Sequence, residues 1–292
     1  MIHFVFALAA LGLPQPAGNT YSLRAVVSDS KGAPVRDLEL SDVSLTASGA
    51  TVPLTRFEKD ERPFRVALLI DSSLPMGTAY RLQFMDAAKA FIASLPATTR
   101  ISVWTTGDRP HKVIDDLSLD EEGRGREVTA RLSRVAPSGG NTLLDALVEA
   151  SEDLQKKEGE RSIVVFISGS GPGFANDVRE GIVDRVLKTK VEVAGVLVSE
   201  RGEAGGGGDV AQEDYDYVVS RLTDVTAGRE ERPISVMGTG PALQRVAADL
   251  RSTYRLAYSY SGSDRRPKIA LQVARPKVKV RLSTPQKETS SP

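Results

Sequence analysis

The sequence predicts an α/β protein: an open, mainly parallel β-sheet with helices on both faces, accompanied by a small β-sandwich. Two observations indicate the sheet. Apolar residues run without interruption through 66–70 and 163–167, which is typical of strands buried on both faces, and helical patterns alternate with these strands. The third observation concerns the two flanks of the chain, where short alternating strands and turns predict the sandwich.

Residues 1–13, MIHFVFALAALGL, form an apolar stretch that is too short to span a bilayer as a helix. Proline, alanine and glycine follow within 14–18 and offer a small-residue cleavage site, although no Lys or Arg stands near Met1. We therefore predict a signal peptide at 1–18 and a secreted, periplasmic or cell-envelope location. A buried first strand is the alternative, and an uncleaved leader would leave the protein in the cytoplasm.

Both flanks of the remaining chain are rich in short strands. In the amino-terminal flank, 19–60, Tyr21 and Leu23 alternate with polar residues, and the carboxyl-terminal flank, 253–285, has the same character. Neither flank is long enough to bury a sandwich core alone, so we expect the two to pair, with the middle of the chain inserted between them. The polar end, 286–292, is predicted to be a disordered tail.

The middle of the chain, 61–252, alternates strands and helices. In addition to the two apolar runs, strands are expected at 101–104 and 191–198. Two helices are expected at 176–190 and 241–252. Two further helices show apolar residues at every third or fourth position, which are Leu82, Met85, Ala88, Ile92 and Leu95 in one and Leu143, Leu147, Ala150 and Leu154 in the other.

Thr142 marks the expected start of the second of these amphipathic helices. Its hydroxyl is suited to cap the helix, and Asp145 three residues later completes the pattern of a capping box. The helix is therefore predicted to begin directly after Thr142.

The composition excludes most thiol, imidazole and nucleic-acid chemistry. The 292 residues include no cysteine and two histidines, His3 and His111, which rules out disulfides, thiolate catalysis and His-rich metal sites. The 38 basic and 38 acidic side chains balance, so we expect no nucleic-acid partner. What remains is a hard-cation site with oxygen ligands, nucleotide binding through backbone amides, or no chemistry at all.

Three polar loops are expected to meet at one edge of the predicted sheet. They cover 71–77 after the first core strand, 138–142 before the capped helix, and 168–175 after the next buried strand. Ligands of open parallel sheets gather at the carboxyl ends of the strands. Carboxylate and hydroxyl oxygens that converge there could bind Mg²⁺ or Mn²⁺.

With these loops the sequence resembles the von Willebrand factor type A (vWA) domain. That family has an Asp-x-Ser-x-Ser strand end, a threonine in a second loop and an aspartate in a third, which together form a metal-ion-dependent adhesion site. Asp71 and Ser73 match the first positions, and Thr142 matches the threonine. The flanks resemble a secreted bacterial vWA-related subfamily. The resemblance implies a vWA-like fold and a role in binding other macromolecules.

Two positions depart from the family pattern. Pro75 replaces the second serine and has neither a hydroxyl nor an N–H, while Gly169 stands where the family has an aspartate. Asp145 and Asp177 are better explained as helix capping and as a first-turn acid than as replacement ligands. We therefore expect the metal site to be degenerate, with weak or no binding of Mg²⁺ or Mn²⁺, and no other cofactor.

The predicted function is a non-enzymatic, adhesion-type interaction module with a protein or other macromolecular partner and no transmembrane span. The residues expected to bind the partner lie in the three loops and are Asp71, Ser73, Gly140, Asn141, Thr142 and Ser170. One alternative is a metal-dependent enzyme or nucleotide-binding protein that uses the same strand-end cleft. A purely structural envelope component is a further alternative.

Overall fold

A computed structural model describes residues 19–118, 124–157, 161–169, 173–198, 210–264 and 267–288. The predicted signal peptide, Ser170 and the last four residues of the predicted tail lie outside these described residues. None of the helices in the described ranges combines the length and the apolar character that a membrane-spanning helix needs.

The strands of the described chain are numbered in chain order. They are β1 (Asn19–Ser28), β2 (Val43–Ala47), β3 (Ala50–Val52), β4 (Leu54–Lys59), β5 (Phe64–Ile70), β6 (Arg100–Thr106), β7 (Pro110–Ser118), β8 (Arg161–Gly169), β9 (Glu192–Val198), β10 (Glu230–Glu231), β11 (Tyr254–Tyr260), β12 (Ile269–Val273), β13 (Lys279–Leu282) and β14 (Gln286–Lys287).

The α-helices are numbered in the same way, and two short 3₁₀ helices lie at Leu40–Asp42 and Val236–Gly238. The α-helices are α1 (Gly77–Ala79), α2 (Met85–Ser94), α3 (Arg124–Leu132), α4 (Leu143–Gln155), α5 (Arg179–Lys188), α6 (Val210–Thr226) and α7 (Thr239–Leu250).

The central sheet has the strand order β10-β9-β8-β5-β6-β7. Its strands pair in parallel except at one edge, where β7 runs antiparallel to β6. Along β5, Val66 and Leu68 face one apolar core while Ala67 and Leu69 face the other. An uninterrupted apolar run is therefore needed because this strand is covered on both sides. The predicted α/β fold class is confirmed.

Helices cover both faces of this sheet. One core contains buried residues of α2, α3 and α7, and the other contains buried residues of α4, α5 and α6. Helices α3 and α6 were not expected from the sequence. Helix α5 begins at Arg179, later than the predicted start at 176, because Asn176 and Asp177 lie in the turn that precedes it.

The first amphipathic helix differs from its predicted face. Helices α1 and α2 are joined by a π-helical turn at Tyr80–Phe84, which adds a residue to the local period and rotates the following side chains. Leu82, predicted to face the core, is consequently 62% exposed, and Tyr80 and Phe84 are buried in its place. Ala88, Ile92 and Leu95, beyond the turn, are buried as expected.

The two flanks of the chain form a β-sandwich. One sheet has the order β13-β1-β11-β4, with β14 also paired to β1, and the other has the order β12-β2-β3. Strand β1 pairs antiparallel with β11 from Asn19 opposite Tyr260 to Ala25 opposite Tyr254. Because β13 and β11 alternate with β1 and β4 in the first sheet and β12 pairs with β2 in the second, neither flank makes this core without the other. The predicted sandwich is confirmed.

The predicted disordered tail begins too early. Strand β13 pairs with the Ala25–Ser28 part of β1 and leaves the rest of that strand edge open. After Pro285 the chain returns to the same edge, and Gln286–Lys287 pair with Tyr21 and Ser22. Backbone groups on an open strand edge favour such an added strand, which polar side chains alone do not predict.

Candidate functional site

The described parts of the three predicted loops meet at the carboxyl ends of β5 and β8, as parallel strand ends require. Backbone hydrogen bonds join them. Leu74 N–H donates to the Gly139 carbonyl at 3.0 Å, Ser138 N–H donates to the Ser72 carbonyl at 3.0 Å, and Phe174 N–H donates to the Asn141 carbonyl at 2.9 Å. The segment before α4 is therefore clamped between the two strand-end loops.

Asp71 lies at the centre of the site and is fully buried. Its Oδ1 accepts from Ser73 N–H at 2.9 Å, and its Oδ2 accepts from Asn141 Nδ2 and Gly169 N–H, both at 2.9 Å. Burial raises the pKa of this carboxyl, although hydrogen bonds from Ser73, Gly169 and Ser168 oppose the shift. The carboxylate thus serves as an acceptor that ties two loops to its strand.

Asn141 is the second hub, and its side chain is also fully buried. Its Nδ2 donates to Ser168 Oγ at 2.7 Å as well as to Asp71. Its Oδ1 accepts from Thr106 Oγ1 at 2.9 Å and from Leu143 N–H at 3.1 Å. Every donor and acceptor of this amide therefore has a partner, a condition that fixes its orientation.

The backbone of Asn141 is held from the other side of the site. The hydroxyl of buried Tyr215, on α6, donates to the Asn141 carbonyl at 2.7 Å. Burial raises the pKa of Tyr215, and the nearby Asp71 carboxyl raises it further, so the phenol remains a hydrogen-bond donor. Because α6 was not expected from the sequence, this contact was missed as well.

Thr142 does not cap α4 with its side chain. It occupies the N-cap position, but its Oγ1 donates to the Gly107 carbonyl at 3.2 Å. The hydrogen bond to the first turn comes from Asn141, whose Oδ1 accepts from Leu143 N–H. Asp145 accepts from Asn176 N–H at 3.0 Å and from its Nδ2 at 2.6 Å, so it links the first turn of α4 to the segment before α5 instead of completing a capping box.

The residues present do not fit a divalent metal ion. Both carboxylate oxygens of Asp71 are occupied by protein donors, and Pro75 supplies no side-chain oxygen. A Cβ atom built at Gly169 would lie 2.3 Å from the Met76 sulfur, so an apolar side chain fills the space of the family's second carboxylate. One group favours a ligand, the Ser73 hydroxyl, which is buried without a hydrogen-bond partner in the described part of the chain. A single free oxygen is too few for Mg²⁺.

Burial revises the predicted partner-binding residues. Asp71, Ser73, Asn141 and Thr142 are all at most 5% exposed, which is at odds with direct contact to a macromolecule. Their hydrogen bonds instead fix the loops that surround them. Gly140 is half-buried and remains available at the surface of the site.

Two exposed apolar side chains lie on the clamped loops and were not singled out from the sequence. Leu74, between Asp71 and Met76, is 68% exposed, and Phe174, beside Gly173, is 61% exposed. The available signal was an isolated large apolar residue in a loop that is otherwise polar or glycine-rich. Both N–H groups bind carbonyls of the central segment, at Gly139 and Asn141, so the two side chains flank it.

A polar cleft of about 440 Å³ adjoins the same loops and includes Ser72 and Ser138 in its lining. Arg109 and Arg134 also line it, and neither guanidinium forms an ion pair or hydrogen bond with the described residues. The side of the face next to β7 therefore carries these two guanidinium groups together with the Asp108 carboxylate, and its charged character differs from the apolar tips of the two loops.

We expect Gly139→Ala to lower the free energy of unfolding by more than Gly49→Ala does. Both glycines have a positive φ, +61° and +86°, which costs an alanine about 1–2 kcal/mol. A Cβ at Gly139 would also overlap the Asp108 carboxylate, whereas nothing lies within 4 Å of one at Gly49. Urea unfolding of both variants measures the difference. Equal losses would show that Asp108 moves aside freely.

Comparison with known proteins gives structural likenesses. No protein-family model matches the sequence, and no curated protein sequence matches it. The chain is similar to proximal thread matrix protein 1 from the mussel byssus, with 16% identity, 70% of this chain and 51% of that chain covered, and a TM-score of 0.50. It is also similar to the pilus adhesin SpaC from Lactobacillus rhamnosus GG, with 8% identity and a TM-score of 0.52. That match covers 87% of this chain and 44% of SpaC. This chain thus spans about half the length of either protein.

The protein is therefore of the α/β class. Its central sheet has a candidate site at the strand ends and is joined to a β-sandwich made from both flanks of the chain. More particularly, the fold is that of a vWA-type protein. At these identities the likeness defines the fold alone. The role of the site has to be argued from this chain's own residues.

Proposed function

We propose that this protein is a non-enzymatic interaction module that binds a protein partner through its strand-end loops. One observation carries the proposal: Leu74 and Phe174 expose large apolar side chains on loops that a buried polar network holds in place. A rigid scaffold that presents apolar anchors avoids the entropy cost of ordering loops on binding. Matrix and adhesin proteins with the same fold are consistent with such a role.

The chemistry of the site favours binding over catalysis. A general base needs a free lone pair within reach of a substrate, and Asp71 directs both carboxylate oxygens to protein donors. His111 is exposed on the edge strand β7 and lines the cleft with Arg109 and Arg134, and the described residues contain no cluster of His, Asp and Glu side chains that could hold a metal ion. The enzyme and nucleotide-binding alternatives therefore gain no support from the described residues.

The binding surface in this proposal works without a metal ion. Apolar contact by Leu74 and Phe174 replaces the metal-bound contact implied by the family resemblance. The buried hydrogen-bond network around Asp71 replaces the metal as the element that joins the loops. We also propose that the protein acts outside the cytoplasm, in the periplasm or cell envelope or after secretion, which the apolar segment at 1–13 supports.

Replacing both loop tips by serine, as Leu74→Ser with Phe174→Ser, should reduce partner capture by on the order of tenfold or more, because buried apolar anchors dominate interface energies. The measurement is affinity capture from an envelope extract of the source organism, quantified by mass spectrometry. The matched control is Leu40→Ser, which removes a leucine that is 47% exposed on the sandwich.

Three outcomes of this experiment are informative. Capture that falls in the loop variant, persists in the Leu40 control and is unaffected by EDTA supports the proposal. Capture that both variants retain would place the interface elsewhere on the protein. Capture abolished by EDTA would show that the site binds through a metal ion and would contradict the metal-free surface.

A further inference from the structure

A second polar pocket, of about 350 Å³, lies at the opposite end of the molecule from the strand-end loops. Its walls come from both structural units. Ser22 and Arg24 belong to β1 of the sandwich, Ser162 lies at the start of β8 in the central sheet, and Lys190 follows α5. A ligand in this pocket would contact the sandwich and the central sheet together.

Two buried carboxylates, Asp60 and Glu192, bind arginines of the pocket lining, and their side chains are at most 3% exposed. Arg161 is fully buried and donates to Glu192 from Nη2 at 2.8 Å and from Nε at 3.2 Å. Arg62 binds Asp60 with two hydrogen bonds, from Nε at 2.6 Å and from Nη2 at 2.7 Å. Each carboxylate is thus already paired with its own guanidinium.

Arg24 is the third guanidinium at this place and has no carboxylate of its own. Its Nε atom is buried without a hydrogen-bond partner among the described residues and lies 3.7 Å from the Glu192 oxygen that Arg161 already uses. Burial lowers the pKa of Arg24, and the charges of Arg161 and Arg62 lower it further, while Glu192 and Asp60 raise it. Within the part of the chain that the structure describes, the guanidinium groups of Arg24, Arg62 and Arg161 therefore share the carboxylates of Asp60 and Glu192, one negative charge fewer than the positive charges.

The other groups around Arg24 are also donors without acceptors. Lys190 makes no ion pair with the described residues, and the hydroxyls of Ser22 and Ser162 make no hydrogen bond with them. Two further charged residues of the lining are satisfied, because Arg255 pairs with Glu58 and Glu288 lies 3.9 Å from Arg56. Within the described residues, the donors Arg24 and Lys190 therefore lack a negatively charged acceptor of their own.

We propose that this pocket is a binding site for a small oxyanion of the phosphate class, held by Arg24 and Lys190 and by the hydroxyls of Ser22 and Ser162. An oxyanion supplies the missing negative charge and several acceptor oxygens, which suit a guanidinium, an ammonium group and hydroxyls that converge from different elements. By bridging β1 and the start of β8, the anion stabilises the docking of the sandwich on the central sheet. The site is independent of the function proposed for the strand-end loops.

The test measures binding of inorganic phosphate to the full chain by isothermal titration calorimetry, at constant ionic strength and with sodium chloride as the reference. Acetate is titrated in parallel to distinguish a phosphate site from a general carboxylate site. We expect saturable phosphate binding and a higher unfolding temperature in phosphate than in chloride. Acetate binding as tight as phosphate would contradict the assignment to the phosphate class.

Two variants and one control locate the site. Arg24→Met retains the length of the side chain without its charge, and Lys190→Asn keeps a residue that tolerates the positive φ of 61° at this position. Each should weaken phosphate binding by on the order of tenfold, the loss expected for one charge-assisted hydrogen bond. Lys268→Gln removes an exposed charge outside the pocket and should have no effect.

The proposal is overturned if phosphate does no more than chloride at equal ionic strength, or if both pocket variants bind phosphate as the unmodified chain does. If Arg24→Met does not fold, the Lys190→Asn result decides alone. Failure of this test leaves the strand-end interaction surface untouched, because none of the residues varied here lies in the loops of that surface.

Discussion

Asp71→Ala is expected to lower the free energy of unfolding by about 3–5 kcal/mol, because each buried donor left without an acceptor costs about 1–3 kcal/mol. The substitution strips the acceptor from three donors, Ser73 N–H, Gly169 N–H and Asn141 Nδ2, inside a site that excludes water. The loss should extend to the loops, because Asn141 also binds Ser168 and Thr106 and starts α4.

The measurement is equilibrium unfolding in urea, combined with hydrogen exchange of the amide groups of Ser73, Gly169 and Leu143. Asp86→Ala is the matched control, since Asp86 is an exposed aspartate whose ion pair with Lys89, at 3.0 Å, is worth about 0–1 kcal/mol. A loss no larger than that of the control would mean that water or a neighbouring side chain replaces the carboxylate. The interpretation that the hydrogen bonds of Asp71 hold the loops together would then fail.

The sequence predicts the parts of this fold that depend on burial alone. Strands β5 and β8 are covered on both faces and therefore need uninterrupted apolar runs, and α4 packs one face of Leu143, Leu147, Ala150 and Leu154 as its spacing indicates. Helix α6 carries an equally clear pattern in Tyr215, Val218, Val219 and Leu222, all buried, so its absence from the predictions reflects an overlooked signal.

Other features depend on backbone geometry that side-chain patterns do not encode. The π-helical turn before α2 shifts the helix face by one residue, so Leu82 becomes exposed although its spacing from Met85 and Ala88 is helical. Strand β14 forms because β13 leaves part of the β1 edge unpaired, which is a property of the partner strand and not of Gln286 or Lys287.

The candidate site also has features that the sequence predicts and features that it does not. Parallel-strand topology brings the loops at Asp71 and Thr142 together, so their proximity follows from the order of the elements. How each polar group is satisfied does not follow, because several donors compete for the same acceptor. Thr142 was expected to cap a helix but donates to Gly107, and Asn141 takes the capping role.

Gly169→Asp, which restores the aspartate of the family pattern, is expected to destabilise the protein by about 3 kcal/mol or more. The new Cβ would lie 2.3 Å from the Met76 sulfur, and the new carboxylate would share a buried site with Asp71, whose Oδ2 accepts from the residue 169 N–H. Thermal unfolding with and without EDTA measures the loss, which should be the same in both conditions.

A triple variant then asks whether the missing groups are what excludes a metal ion. Met76→Ala makes room beside Gly169→Asp, and Pro75→Ser returns a hydroxyl near Ser73, whose own hydroxyl has no hydrogen-bond partner among the residues that the structure describes. Two carboxylates and added hydroxyl oxygens approach the ligand set that Mg²⁺ requires, so millimolar Mg²⁺ should raise the unfolding temperature of the triple variant by several degrees or more. The unmodified chain should not respond.

The comparison between the two chains decides how the loops are held together. In the unmodified protein the Asp71 carboxyl accepts hydrogen bonds from Ser73, Asn141 and Gly169, so a cation has to break those hydrogen bonds before it can bind. A saturable response of the unmodified chain to Mg²⁺ or Mn²⁺, reversed by EDTA, would show that those bonds yield and that the site is a metal site after all. A response confined to the triple variant would show that the hydrogen-bond network around Asp71 joins the loops in place of a metal ion.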